Sequence, residues 1–202
     1  MVAIIDYGAG NLHSVKNALD FLGAESVITS ERDTILSADR VILPGVGAFG
    51  DAMESLREKG LVEVVREAAD GSRPFLGICL GLQLLFEKSE ECEGTAGLGI
   101  FKGSVVKIPD CGLKIPHMGW NNITLKKESR ILPDDNPFVY FVHSYYGANC
   151  SDSVIATAEY STDLTAAVAD GNVYGCQFHP EKSGKVGLKI LKAFCEMEGM
   201  QC

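Results

Sequence analysis

The first half of the chain alternates between short apolar runs and stretches with apolar residues at helical spacing. The short runs predict strands at residues 2–6, 26–28, 40–43 and 75–78, and the first and last of these are expected to be buried. Apolar positions three and four apart, as in Leu12, Val15 and Leu19, predict helices between the strands, and the longest helical stretch breaks near Gly60. Pro44 is expected to end the third strand.

The pattern changes after Phe101, where helical spacing gives way to a series of short strands. We predict these strands at residues 105–108, 122–125, 138–142, 154–159, 166–169 and 173–178. An amphipathic helix at 185–197 closes the chain. No linker composition divides the two halves, so we expect one domain over residues 1–202. The predicted fold is a doubly wound α/β core, with a mostly parallel sheet flanked by helices and an antiparallel β-rich extension.

Composition excludes several classes of function. The net charge of −9 argues against nucleic acid or an anionic membrane as the main partner. No apolar run approaches the ~18 residues that a membrane span needs. The N-terminal residues read as a strand and lack the pattern of a signal peptide. Seven cysteines without a C-x-x-C pair fit a reducing compartment, so we expect a cytoplasmic protein.

The stretch from Gly77 to Gly81 has the spacing of a nucleophile elbow, in which a strand turns sharply into a helix. It reads Gly-Ile-Cys-Leu-Gly, with Cys79 at the position of the nucleophile. Side chains at the two glycines would collide with neighbouring backbone in so tight a turn. A lone cysteine in an apolar run is more often a core residue, so the elbow spacing alone does not decide whether Cys79 is a nucleophile or a core residue.

A second candidate follows the last predicted strand, where His179, Pro180 and Glu181 come in succession. Pro180 favours an extended backbone at His179, which holds the imidazole and the carboxylate on a stiff corner. Glu181 could then accept from one ring nitrogen and leave the other free as a base. The alternatives are a simple polar cap and half of a metal site with Cys176. The metal site lacks a second pair of ligands at suitable spacing.

The segment from Gly45 to Gly50 matches G-x-G-x-x-G between a strand and a helix. Alone it suggests a dinucleotide site. That fingerprint normally follows the first strand of its unit, however, and an acidic residue ends the next strand. Here the next strand ends at Cys79. The glycines could instead expose backbone N–H groups to an oxyanion.

These candidates are expected to meet, because parallel strands end on one side of a sheet and ligands bind beyond that side. Cys79, the Gly45–Gly50 segment and His179 each follow a predicted strand. Together they supply a thiol, a base with its orienting carboxylate, and bare amides. Those groups are the components of acyl transfer through a thioester.

The same residues resemble the class I (triad) glutamine amidotransferases. Residues 77–83 together with His179-Pro180-Glu181 carry this resemblance. Four more stretches resemble one branch of the family, the glutaminase subunits of imidazole glycerol phosphate synthase: residues 6–12, 44–49, 116–121 and 141–146. The resemblance covers essentially the whole chain.

The resemblance implies hydrolysis of glutamine to glutamate and ammonia, with no metal or organic cofactor. The implied catalytic residues are Cys79, His179 and Glu181. The implied oxyanion hole comprises Val46, Gly47 and Leu80, and the implied substrate-binding residues are Gln83, Ser144 and Tyr145.

The resemblance also implies a partner, a separate (β/α)₈-barrel cyclase subunit that receives the ammonia in histidine biosynthesis. Met118, Trp120 and Asn11 are the implied interface residues. Residues 116–121 read as a turn-like loop, which could be either a core plug or a docking surface. Two rival functions remain open: a glutaminase subunit of another synthase, such as that of pyridoxal phosphate, and a dinucleotide-binding oxidoreductase.

Overall fold

The computed structural model describes residues 1–133 and 135–199. In chain order, the strands are β1 Val2–Ile5, β2 Ser26–Thr29, β3 Arg40–Gly45, β4 Phe75–Cys79, β5 Lys88–Ser89, β6 Ser104–Lys107, β7 His117–Asn122, β8 Thr124–Leu125, β9 Phe138–His143, β10 Tyr145–Ala148, β11 Val154–Glu159, β12 Asp163–Asp170 and β13 Val173–Cys176. The helices are α1 Leu12–Phe21, α2 Arg32–Ser37, α3 Phe49–Glu58, α4 Val62–Ala68, α5 Leu80–Leu84 and α6 Gly184–Glu196, and a 3₁₀ turn spans Pro180–Lys182.

An eight-stranded sheet forms the centre of the fold, in the order β2-β1-β3-β4-β13-β12-β11-β8. The strands from β2 to β13 pair in parallel, and β12, β11 and β8 extend the sheet in antiparallel pairing. This confirms the predicted fold. Two smaller sheets, β10-β6-β5 and β7-β9, lie outside the large one.

Both faces of the parallel sheet are covered, and the side chains of β1 show how. Ala3 and Ile5 belong to an apolar cluster that also contains residues of α2, α3, α4 and α5. Val2 and Ile4 belong to a second cluster, with residues of α1 and α6. Successive side chains of a strand point to opposite faces, so the apolar side chains of β1 pack against a layer of helices on each face of the sheet.

The third strand is longer than predicted. It continues through Pro44 to Gly45, whereas the sequence suggested an end at Leu43. Its pairing with β1 stops at Ile42, while its pairing with β4 continues to Gly45 opposite Cys79. Proline has no N–H to donate, and it is tolerated here because only one neighbouring strand still pairs with β3.

The prediction of a turn-like loop at residues 116–121 was wrong, because His117–Asn122 is strand β7, paired antiparallel with β9. Glycine and asparagine are disfavoured in strands, and the segment shows no clear apolar alternation, so local sequence gives little indication of a strand. Strand β10 was also missed. Both strands are held by partners that are distant in sequence, β9 and β6.

The helix after the elbow is short, and α5 ends at Leu84. Leu98 donates to the carbonyl of Leu84, and Ile100 and Phe101 donate to that of Leu85. These bonds take the carbonyl oxygens that a longer helix would use. In the described part of the chain, no helix has both the length and the apolar character of a membrane span.

Candidate active site

Cys79 is the last residue of β4 and immediately precedes α5, as the elbow pattern predicted. Its backbone has φ +55° and ψ −110°, which non-glycine residues seldom adopt. Strand pairing maintains this conformation, since β4 lies between β3 and β13. Strained backbone that the surrounding structure fixes in this way is common at functional sites.

The glycines of the elbow are required by close packing. A Cβ added at Gly77 would lie 2.9 Å from the carbonyl oxygen of Gly81, and one added at Gly81 would overlap the carbonyl oxygen of Leu43. A Cβ on Gly45 would lie 2.7 Å from the backbone nitrogen of Gly81. The ends of β3 and β4 therefore approach the start of α5 with no room for side chains.

His179 and Glu181 form a buried pair at the same edge of the sheet. Nδ1 of His179 lies 2.8 Å from Oε1 of Glu181, and both side chains are almost wholly inaccessible. The backbone N–H of His179 donates to the carbonyl of Tyr140, and the Ser183 hydroxyl donates to the carbonyl of His179. Nε2 of His179 has no hydrogen-bond partner within the described residues. This nitrogen is left for the thiol and the substrate.

The charge state of His179 depends on its two neighbours. Burial lowers the pKa of this imidazole, but interactions with Cys79 and Glu181 outweigh burial and raise the pKa from 6.5 to about 9. These interactions favour the protonated imidazole next to the sulfur. An imidazolium in this position can give its proton to a leaving nitrogen.

A cavity of about 430 Å³ brings the candidate residues together. Its walls are formed by Val46, Gly47, Cys79, Leu80, Gln83, Glu91, Pro116, Val142, His143, Ser144, Tyr145 and His179. The set includes every residue suggested above for the oxyanion hole and for substrate binding. The volume suits a small molecule such as an amino acid.

The G-x-G-x-x-G segment lines this cavity from the β3 side. Gly47 has φ +106°, a conformation that favours glycine. At the start of α3, the backbone N–H of Phe49 donates to Oε2 of Glu91 at 2.8 Å. A carboxylate therefore occupies the helix N-terminus where a dinucleotide would place its pyrophosphate, and its charge repels phosphate. The local structure thus argues against dinucleotide binding.

Comparison with known proteins agrees with this geometry. The model of the class-I glutamine amidotransferases matches residues 3–197. The chain belongs to this family. It is 52% identical over 197 residues to the imidazole glycerol phosphate synthase subunit HisH of Bacillus cereus strain G9842, covering 96% of this chain and 93% of that protein. It is also 52% identical over 200 residues to the subunit of the same name from Caldanaerobacter subterraneus, covering 98% of each.

Solved structures show the same fold at lower identity. A crystal structure of a glutamine amidotransferase aligns with a TM-score of 0.76 at 20% identity, covering 97% of this chain and 98% of that one. The structure of PurLQS from Thermotoga maritima aligns with a TM-score of 0.74 at 20% identity, covering 96% of each chain. These two likenesses support the amidotransferase fold alone.

Two residues of this amidotransferase site were missed in the sequence. Glu91 lies in the polar loop at residues 90–99, where it lines the cavity and caps α3. Gln177 is wholly buried, and its Nε2 lies 3.8 Å from Sγ of Cys79. The sequence did contain a signal for Gln177, because this glutamine directly follows an apolar strand and lies two positions before His179.

Gln83 has less freedom to bind substrate than the resemblance implied. Its Nε2 donates to the carbonyl of Tyr145 at 2.8 Å and to Oε1 of Gln177 at 3.1 Å. Both amide hydrogens are thus used inside the protein, and only the amide oxygen remains for a ligand. Ser144 and Tyr145 are partly exposed to the cavity.

The expected interface residues lie on β7 and at the start of α1. Met118 and Trp120 are 62% and 55% exposed on β7, so Trp120 is not a core residue. Asn11 directly precedes α1, which packs against the turn that carries Glu181. No cluster of metal-ligating side chains occurs within residues 1–133 and 135–199.

Replacing Glu181 by glutamine should lower the pKa of His179 from its value of about 9, because the contribution of the carboxylate is lost while burial and the interaction with Cys79 remain. The measurement is a ¹⁵N NMR titration of the imidazole, with the exposed Glu54→Gln as control. A folded-state pKa above the 6.5 of the unfolded chain stabilises the protein fully below pH 6.5, and that contribution is lost as the pH rises through 9. Urea unfolding should show this decline in the wild type and a smaller one in Glu181→Gln. An unchanged titration would show that Glu181 does not set the charge of His179.

Proposed function

We propose that this chain is the glutaminase subunit of imidazole glycerol phosphate synthase and acts in histidine biosynthesis. The observation that carries the proposal is a cavity in a class-I amidotransferase fold that is lined by both Cys79 and His179, with Glu181 paired to His179 behind it. The near-full-length identity to subunits of that name supports this branch of the family.

The arrangement accounts for hydrolysis of a side-chain amide. Sγ of Cys79 attacks the amide carbon of glutamine, forming a C–S bond and an oxyanion. His179 gives its proton to the amide nitrogen, the C–N bond breaks and ammonia leaves. Water then attacks the thioester carbon, with His179 accepting a proton from it. The C–S bond breaks, which releases glutamate and restores the sulfur. Glu181 keeps the imidazole oriented through Nδ1.

The oxyanion needs N–H donors near the sulfur. We assign this role to the backbone of Leu80, which begins α5, and to the Val46–Gly47 segment across the cavity. Donors fixed in a partly buried site stabilise developing negative charge more strongly than water does. The close packing of Gly45 against Gly81 keeps the two donor segments adjacent.

The α-carboxylate and the α-ammonium group distinguish glutamine from simpler amides. We assign the carboxylate to the Ser144–Tyr145 segment, which lines the cavity and carries the Ser144 hydroxyl. The carboxylate of Glu91 lies on the same cavity and has the charge that complements an ammonium group. An amide that lacks these α-groups would lose both contacts.

The ammonia released at Cys79 must reach an acceptor before it diffuses into solvent. We infer that a separate cyclase subunit, a (β/α)₈ barrel, binds the β7–β9 sheet. Met118, Trp120 and Phe138 form an exposed apolar surface there, each more than half exposed. Val142 of the same sheet lines the cavity, and its carbonyl lies 3.9 Å from Sγ of Cys79. A partner on this surface would lie next to the site of ammonia release.

Two observations bear on compartment and on the rival subunit. Each cysteine within the described residues is free, as a reducing cytoplasm would keep it.

A glutaminase subunit of pyridoxal phosphate synthase would share the triad. The relatives described above instead carry the name of the imidazole glycerol phosphate synthase subunit, which favours that branch.

Reconstitution with a cyclase subunit tests this function. The wild-type complex should make imidazole glycerol phosphate from glutamine, and Cys79→Ser should reduce that rate by several orders of magnitude, because a hydroxyl is a much weaker nucleophile than a thiol. Cyclisation fed by ammonium salt should persist in the variant. The exposed Cys111→Ser is the control and should behave as wild type. A wild-type complex that uses ammonium but not glutamine would contradict the proposal.

Trp120→Ala should weaken cyclase binding by about 2 kcal/mol or more, which is roughly thirtyfold in Kd, because large aromatic anchors dominate interfaces. Its own unfolding midpoint should change little, since the ring is 55% exposed. The matched control is Phe21→Ala, a still more exposed aromatic on α1. Calorimetric titration against the cyclase gives the affinities. Equal affinities for Trp120→Ala and wild type would exclude this surface as the main docking site.

A further inference from the structure

Two buried histidines next to the cavity have no role in the chemistry above. His117 on β7 and His143 on β9 lie opposite each other in the sheet, and Nδ1 of His117 is 3.0 Å from Nε2 of His143. They are 3% and 6% exposed. Buried polar side chains of this kind are costly unless their hydrogen bonds are satisfied.

The hydrogen bonds at either end of the pair fix every proton in it. Nδ1 of His143 lies 2.9 Å from the carbonyl of Tyr145, and a carbonyl only accepts, so this nitrogen carries hydrogen. Its Nε2 must then accept from Nδ1–H of His117. Nε2 of His117 in turn accepts from the side-chain amide of Asn121 at 3.3 Å.

The asparagine has a fixed orientation. Its Nδ2 also donates to the carbonyl of Glu159 at 2.9 Å, and its Oδ1 accepts from the backbone N–H of Asn122. The chain of bonds therefore runs in one direction, from Asn121 through both imidazoles to Tyr145. It requires two neutral rings, and burial keeps them neutral by lowering the pKa of His117 to about 4 and that of His143 to about 3.

The carbonyl at the end of this chain is held from two sides. Gln83, on the helix after the nucleophile, donates to the same Tyr145 oxygen at 2.8 Å. One donor comes from the elbow helix and the other from β9. The peptide that follows Tyr145 is thereby fixed in orientation, and Ser144 and Tyr145 both face the cavity.

The other end of this chain of hydrogen bonds, Asn121, lies on β7, the strand that also carries Met118 and Trp120. Met118 and Trp120 alternate with His117 and Gly119 along β7 and are exposed, whereas His117 is buried. The ring of His117 stacks on Phe141 and Tyr160, with centroids 4.6 and 4.1 Å away. A shift of β7 along β9 would therefore move His117 relative to His143.

We propose that His143, held by His117, is a positioning residue for the Ser144–Tyr145 segment and links substrate binding to the strand that carries Met118 and Trp120. The proposal rests on the glutaminase function proposed above and adds two residues to it. Neither imidazole transfers a proton in the reaction. Their hydrogen bonds orient the backbone that receives the α-groups of glutamine.

The test is His117→Phe in the complex with the cyclase. Phenylalanine keeps a ring between Phe141 and Tyr160 but cannot donate to His143. We expect the KM for glutamine to rise about tenfold, the effect of losing one buried hydrogen bond, with a much smaller change in kcat. Tyr160→Phe is the matched control, since it keeps the stacked ring and the histidine pair, and its KM should stay at the wild-type value.

Labelling of Cys79 separates substrate positioning from damage to the nucleophile. A glutamine-analogue diazoketone carries the α-groups, whereas iodoacetamide does not. In His117→Phe, the rate of Cys79 labelling by the diazoketone at subsaturating concentration should fall about tenfold, while the rate with iodoacetamide should match wild type. Equal losses with both reagents, or an unchanged KM for glutamine, would overturn the proposal.

A second pair of variants covers the case in which His117→Phe fails to fold. His143→Asn can still donate to the Tyr145 carbonyl from a position near that of Nδ1, whereas His143→Leu cannot. The KM for glutamine should therefore rise less in His143→Asn than in His143→Leu, and equal values in folded proteins would overturn the proposal. A wild-type complex that the diazoketone does not label would overturn the proposed function itself, and this inference with it.

Discussion

The site depends on the close approach of β3, β4 and α5, where three glycines allow backbone to contact backbone. Gly45, Gly77 and Gly81 leave no space for a Cβ, and Cys79 at their centre has a positive φ of +55°. Parallel pairing on both sides of β4 maintains this strain. Because β13 pairs with β4, the same constraint brings His179 to the edge of the sheet at which Cys79 lies.

Much of this arrangement could be predicted from local sequence. The apolar runs of β1 and β4 predicted buried strands, because strands covered on both faces have few polar positions. The elbow was predictable because its glycines are spaced by steric need. His179 and Glu181 were predictable as a pair because Pro180 restricts the backbone between them. Each residue suggested for the oxyanion hole and for substrate binding lines the cavity.

The remainder depends on contacts between segments far apart in sequence. Strand β7 contains glycine and asparagine, and it is a strand because β9 pairs with it. Glu91 reaches the cavity because it caps α3, 42 positions earlier in the chain. The hydrogen-bonding groups of Gln83 are used by Tyr145 and Gln177, so its limited role in binding follows from tertiary structure. None of these contacts leaves a periodic pattern in the sequence.

The central claim is that Cys79 forms a thioester with glutamine. The most direct measurement mixes the cyclase complex with isotopically labelled glutamine, quenches it in acid within a turnover, and maps the peptides by mass spectrometry. The account predicts a γ-glutamyl group on the Cys79 peptide that hydroxylamine removes, as expected for a thioester. A labelled group on another cysteine such as Cys92, or a bond to Cys79 that resists hydroxylamine, would contradict it.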